Sequence, residues 1–196
     1  MNATTEQVAA FIRKEWFANH KATVITTGDT TTIQWAQPST SMYSVTYILH
    51  ENKIFITGDI GDAVFRLTWQ AGIHTFNDLS SHEYFLSKLT ASSRERWGFD
   101  YETAMDDIND WAANDPTNET MIEMKNELLD IAQNSGTLAE YTHRIYEHYE
   151  NQIDYAFDTE DYAHFATFGQ TTPDCFVAYL VGLQMISEQL KGKTEK

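Results

Sequence analysis

Residues 43–67 read YSVTYILHENKIFITGDIGDAVFRL. Tyr43, Val45, Tyr47 and Leu49 alternate with Ser44 and Thr46, the period of two that turns one face of a strand apolar. Glu51-Asn52-Lys53 makes a short turn and residues 54–57 return. Gly58-Asp59-Ile60-Gly61-Asp62 turns again, and Ala63, Phe65, Leu67 and Trp69 resume the alternation. Upstream, residues 23–27 and 31–36 flank Gly28-Asp29, a hairpin signal. Five strands with short connections predict an antiparallel meander. Such a sheet needs one face covered. The expected cover is an N-terminal helix, opened by Thr4 and Gln7 at capping-box spacing and carrying Val8, Phe11, Ile12 and Trp16 at a helical period.

Beyond the meander the pattern turns helical. Ser80 and Glu83 have the spacing to cap a short helix with Tyr84, Phe85 and Leu89, and residues 91–98 read as a connection. Asp100 opens a helix striped by Tyr101, Ala104, Met105, Ile108 and Trp111, broken at Asn114-Asp115-Pro116. Met121, Met124, Leu128 and Ile131 stripe the next, ended by Gly136. Thr137 and Glu140 cap a third, with Leu138, Tyr141, Ile145 and Tyr149. Pro173 opens the last helix, whose apolar face is the widest in the chain. The fold class is α+β. One domain, 1–196, is expected, with a sheet-containing part (1–98) and an acidic helical part (99–196).

The net charge is −16 over 196 residues, and its distribution is uneven. Between Asp100 and Asp161 stand 17 acidic residues against Lys125 and Arg144 alone. The other 134 residues hold 12 acidic and 11 basic ones. Free nucleic acid would be repelled, because its binding needs Lys and Arg on the phosphates. Cys175 is the single cysteine, too few for an internal disulfide or a cysteine-rich zinc site, which suits a reducing cytoplasm. The N-terminal residues MNATTEQVAA carry neither a basic nor an apolar signal region. The longest apolar run, 176–183, falls far short of the ~20 residues of a membrane span.

No motif nominates a reaction, a cofactor or a metal. His143, Glu147 and His148 read H-x-x-x-E-H, which sets the imidazoles about 140° apart round a helix, wrong for one ion. The turn 58–62 lacks the lysine and spacing of a phosphate loop, and its two aspartates repel anions. Cys175 sits in the first turn of a helix, where a thiol can be activated, yet its apolar flank Phe176-Val177 reads as structural. Tyr141, Tyr146, Tyr149, Tyr155, Phe157, Tyr162, Phe165 and Phe168 form a dense aromatic group, part core and part candidate interface. An acidic run is ordinarily a solvated helix face. Here it lacks the basic partners that stabilise such faces, and self-repulsion opposes folding, which points to use in binding.

Met42-Tyr43, Gly58-Asp59-Ile60-Gly61 and Ala63-Val64-Phe65, with Tyr84-Phe85, Lys88, Ala91-Ser92, the aromatic-Gly-x-Asp of residues 97–100, and Leu183, Met185 and Gln189-Leu190, resemble a group of small bacteriophage-encoded proteins. The resemblance spans most of the chain and implies a phage origin without a mechanism. Small acidic phage proteins are similar to known inhibitors of host defence, anti-CRISPR and anti-restriction proteins, several of which mimic nucleic acid. The leading expectation is therefore a non-enzymatic inhibitor working in the host cytoplasm. It would present Asp106, Asp107, Asp110, Glu119, Glu123, Glu127, Asp154, Asp158 and Asp161 to a basic nucleic-acid-binding protein, with no direct nucleic-acid or membrane binding, and a homodimer is one open oligomeric state. Two alternatives stand beside it. One is a nucleotide-signal sponge or enzyme, with Trp35, Tyr47, Trp69 or Trp97 stacking a base and Arg66, Arg94 or Arg96 meeting its charge. The other is a phage structural or assembly factor.

Overall fold

The computed structural model describes residues 4–76, 82–151 and 157–194. The chain divides into two compact units, one built on Trp97–Thr172 and the other combining Ala3–Arg96 with Pro173–Lys196. The dividing lines differ from a single cut after residue 98. The last helix belongs with the sheet and not with the acidic helices.

The sheet unit opens with α1 (Thr5–Phe11), capped by the expected box between Thr4 and Gln7. It runs into a π-helical turn, Ile12–Trp16, closed by the Phe17 amide on the Ile12 carbonyl at 3.0 Å. Strands β1 (Lys21–Thr27), β2 (Thr30–Ala36), β3 (Val45–His50), β4 (Lys53–Gly58) and β5 (Ala63–Arg66) follow as an antiparallel meander. Gly28 takes a φ of 56° at the first central position of the β1–β2 turn, the arrangement that suits a two-residue hairpin.

A sixth strand extends the five expected. After α2 (His82–Ser87), β6 (Leu89–Ser92) returns to pair with β5, where residues 91–98 had read as a connection. Four residues with one clear apolar member give no alternation to read. Ser80, the expected cap of α2, lies outside the described residues.

The inner face of the sheet is a set of cross-strand rows, one of them Val24–Ile33–Tyr47–Ile56–Ala63. Its main cover is α7 (Asp174–Thr194), whereas α1, the cover expected from the sequence, packs against α7. Phe176, Leu180, Leu183 and Ile186 of α7 are fully buried, each contributing about 1.5–3 kcal/mol of apolar burial. Gly182 lets the helix come close, for a Cβ there would overlap the Tyr47 hydroxyl. That hydroxyl donates to the Tyr179 carbonyl at 3.0 Å. Arg13 locks the π turn to the same helix through a two-pronged pair with Glu188 at 2.9 and 3.0 Å.

The acidic unit is helical. Its elements are β7 (Gly98–Phe99), α3 (Tyr101–Ala112), α4 (Glu119–Gln133), α5 (Leu138–Asn151), α6 (Thr159–Phe165) and β8 (Gln170–Thr171). Asp100 and Asn118 cap α3 and α4, their side chains accepting the amides of Thr103 and Met121. The two short strands pair, Gly98 with Thr171 and Phe99 with Gln170, and so join the entry and exit of the unit. Ala104, Ile108, Met124, Leu128, Tyr141, Ile145, Tyr162 and Phe165 form its core. The helical stripes read from the sequence supply all of these except Tyr162 and Phe165.

Candidate binding surface of the acidic unit

The unit Trp97–Thr172 contains every one of the 17 acidic residues between Asp100 and Asp161, with Lys125 and Arg144 its only lysine and arginine. The charge division visible in the sequence is therefore a division between folded units. Arg144 is already engaged, donating to Glu140 at 3.0 Å one helical turn away. The Gly136 amide and then Arg144 hold the Glu140 carboxyl below its ordinary pKa.

The nine nominated carboxylates fall into three groups. Asp107, Glu127, Asp158 and Asp161 serve the fold. Asp107 is half-buried and accepts the Gly169 amide at 2.9 Å. Glu127 bonds the Nε2 side of His148, whose Nδ1 lies 2.9 Å from the Tyr162 hydroxyl. Asp158 caps α6 by accepting the amides of Glu160 and Asp161 at 2.7 and 3.1 Å, and the Asp161 carboxylate in turn accepts the Asp158 amide at 2.9 Å. Asp106, Asp110, Glu119 and Glu123 are exposed, and no hydrogen bond or ion pair among the described residues engages them. Asp154 lies outside the described residues.

The four exposed carboxylates form two like-charged pairs, Asp106 with Asp110 on α3 and Glu119 with Glu123 on α4. Each pair is four residues apart on one helix face, where repulsion costs a few tenths of a kcal/mol, ~0.2–0.5. Successive carboxylates are separated by ~6 Å along the axis, against one phosphate per ~3.4 Å on a single DNA strand. One helix alone is thus about half as charge-dense as a nucleic-acid strand. This spacing suits long-range attraction of a basic groove better than a phosphate-by-phosphate copy.

Ile122 stands one helical turn from Glu119, three residues on, and is 44% exposed. The sequence reading passed over it, although its i+3 spacing from Glu119 was available. The aromatic group named in its place is largely core. Tyr141, Tyr162, Phe165 and Phe168 are buried and Tyr146 is exposed, whereas Tyr155 lies outside the described residues. An open concavity of about 400 Å³ is lined by Asp107, Asp110, Trp111, Asn114, His164, Thr167 and Phe168.

The other motifs resolve into structure. His148 is spent on Glu127 and Tyr162, and no group of three metal-ligating side chains occurs among the described residues. Burial, followed by the charge of Glu127, pushes the Tyr162 hydroxyl up to about 12, so it remains protonated at neutral pH. Glu127 and His148 lie 21 residues apart on different helices, a link that no local pattern announces. The turn 58–62 joins β4 to β5, where Asp59 accepts the Tyr43 amide and Asp62 the Thr57 hydroxyl. Burial pushes the Cys175 thiol up, the reverse of activation. Trp35 and Tyr47 are sealed in the sheet core and offer no face to a base. Trp69 borders a concavity it shares with Asp29 and Glu51, a poor environment for an anion. No helix among the described residues is long and apolar enough to cross a membrane. Compared with protein-family models, curated proteins and solved structures, the chain matches none.

Proposed function

We propose that this chain is a phage-encoded, non-enzymatic inhibitor that binds a basic, nucleic-acid-binding protein of host defence through its acidic helical unit. The observation that carries the reading is the concentration of 15 excess negative charges in one folded unit while the sheet unit is nearly neutral. Four of the nine nominated carboxylates stand exposed without partners among the described residues. A field of that sign accelerates encounter with a positive groove and fades with salt, over a Debye length of ~8–10 Å at physiological ionic strength. Ile122, one helical turn from Glu119, supplies an apolar contact that survives screening.

The test is capture of partners from a bacterial lysate by the tagged chain and by a variant with Asp106, Asp110, Glu119 and Glu123 all changed to Lys. Under this reading the wild-type chain retains a basic protein that elutes as salt rises and is displaced by added DNA or RNA. The variant retains none. Capture that resists salt, ignores nucleic acid and persists in the variant would overturn it.

A further inference from the structure

The two edges of the six-stranded sheet are built differently. On one edge, β6 has four residues and its pairing with β5 slips in register between Val64 and Phe65, the kind of short, irregular edge that resists further pairing. On the other, β1 has seven residues in unbroken register from Lys21–Ala36 to Thr27–Thr30, with neither proline nor bulge. Its outward main chain is capped at one end only. Gln189 accepts the Ala22 amide at 2.9 Å and donates to the His20 carbonyl at 3.4 Å, occupying the bonds a neighbouring strand would make. Since outward groups alternate along a strand, Val24 and Thr26 also present their N–H and C=O away from β2. No described hydrogen bond fills those positions.

A row of side chains leads to this edge across the outer face, Ala91–Val64–Phe55–Ile48–Thr32–Ile25. It ends on Ile25, which is 63% exposed, the highest value among the large apolar residues described.

We infer that β1 is a self-association edge, pairing antiparallel with β1 of a second copy about a twofold axis through Ile25. In that register Ile25 lies opposite the partner's Ile25, continuing the apolar row across both sheets. Val24 exchanges both main-chain hydrogen bonds with the partner's Thr26, and Thr26 does so with the partner's Val24. A register centred one residue earlier would require the Ala22 amide that Gln189 already holds. The same twofold brings Lys21 alongside the partner's Asp29, one opposite-charge pair at each end. The sheet unit carries 12 acidic and 11 basic residues, so its own charge raises little barrier to meeting a copy. A ladder this short buries less than the ~1,200 Å² of a standard interface, which makes the dimer weak and concentration-dependent. This inference is independent of the acidic unit and its partner.

The experiment is sedimentation of the full chain at physiological salt from ~10 μM to ~1 mM, a range chosen for small interfaces. Monomer should give way to dimer as concentration rises. Ile25→Lys places like charges across the axis and should weaken the dimer about tenfold or more. Val24→Pro removes an outward N–H without touching the β1–β2 bonds and should do the same. Asp29→Lys should weaken it, and Lys21→Glu added to Asp29→Lys should restore it, which no other register allows. Circular dichroism of every variant checks that each is folded. A monomer at every concentration overturns the inference, as does a dimer indifferent to Ile25→Lys and Asp29→Lys. An extended foreign peptide on this edge with no self-association likewise overturns it.

Discussion

The Asp107 carboxylate accepts the main-chain amide of Gly169, 62 residues away, at 2.9 Å. Gly169 has a φ of 74°, and a Cβ there would meet the Ala104 Cβ and the Phe99 ring at 2.7 Å. The bond therefore fastens the exit of the acidic unit to the middle of α3 at a point where only glycine fits. Its neighbours Asp106 and Asp110 make no such bond, so adjacent acids have opposite effects on stability. Asp107→Ala should cost ~1.5–3 kcal/mol, the range for a hydrogen bond to a charged group, reduced toward the lower end by its partial exposure. Asp106→Ala and Asp110→Ala should be neutral or stabilising by ~0.2–0.5 kcal/mol, because each relieves a like-charge pair. Urea unfolding of the three variants distinguishes them, and equal losses at all three positions would contradict the assignment.

Self-repulsion in the acidic unit also sets a salt dependence. With 17 acidic residues and two basic ones, added salt screens mainly repulsion. The melting temperature of residues 97–172, followed by hydrogen exchange on α3 to α6, should rise between low and physiological salt. The sheet unit, nearly neutral, should change little. A fall in the acidic unit on adding salt would show that its charges are paired in a way the exposed carboxylates do not suggest.

Acid should act on the sheet unit through two histidines. Burial lowers the pKa of His20 and of His82 from 6.5. A base with a lowered folded pKa binds fewer protons folded than unfolded, so stability is full above 6.5 and is lost as pH falls below it. Urea midpoints of the sheet unit should drop between pH 7.5 and 5.5, and a His20→Gln, His82→Gln variant should flatten that slope. A midpoint that rises on acidification in this window would reverse the sign and refute the argument.

Tyr47 and Gly182 should behave as a coupled pair. Gly182→Ala drives a methyl group into the Tyr47 hydroxyl and should cost ~1–3 kcal/mol, although alanine is ordinarily better than glycine in a helix by about 0.8–1 kcal/mol. In a Tyr47→Phe background the hydroxyl is gone and the same change should cost less. The double-mutant cycle measures the coupling, and strict additivity would place the obstruction elsewhere.

Period-two alternation marks the strands between Val45 and Arg66, but Tyr43, at a φ of 55°, precedes β3, and Leu67 and Trp69 lie beyond the end of β5. Helix stripes likewise named Ala104, Ile108, Leu128, Tyr141 and Ile145, all core residues. What stayed hidden was what depends on distant partners. Leu89–Ser92 is a strand only because β5 lies beside it. The apolar face of α7 was readable, but not that it would cover the sheet. Among the nine carboxylates, composition could not separate the exposed Asp106 from Asp107, whose amide partner lies 62 residues on. Capping could have flagged Asp158 and Asp161, since an acid followed three residues later by another is a box spacing.

The discontinuous make-up of the sheet unit bears on the order in which the chain can be completed. Its last structural piece, α7, is separated in sequence by the whole of Trp97–Thr172 from the strands it covers. A ribosome releases the meander first, with Ile33, Tyr47 and Leu49 lacking their principal cover, and then the acidic residues, before Phe176, Leu180 and Leu183 emerge. Contacts of such long sequence separation form late and slowly, which leaves uncovered strands open to aggregation. Through that interval the nascent chain already carries its most negative stretch, and like-charged chains on neighbouring ribosomes repel one another. The insertion thus places a solubilising segment in the chain just when the unfinished sheet is most adhesive.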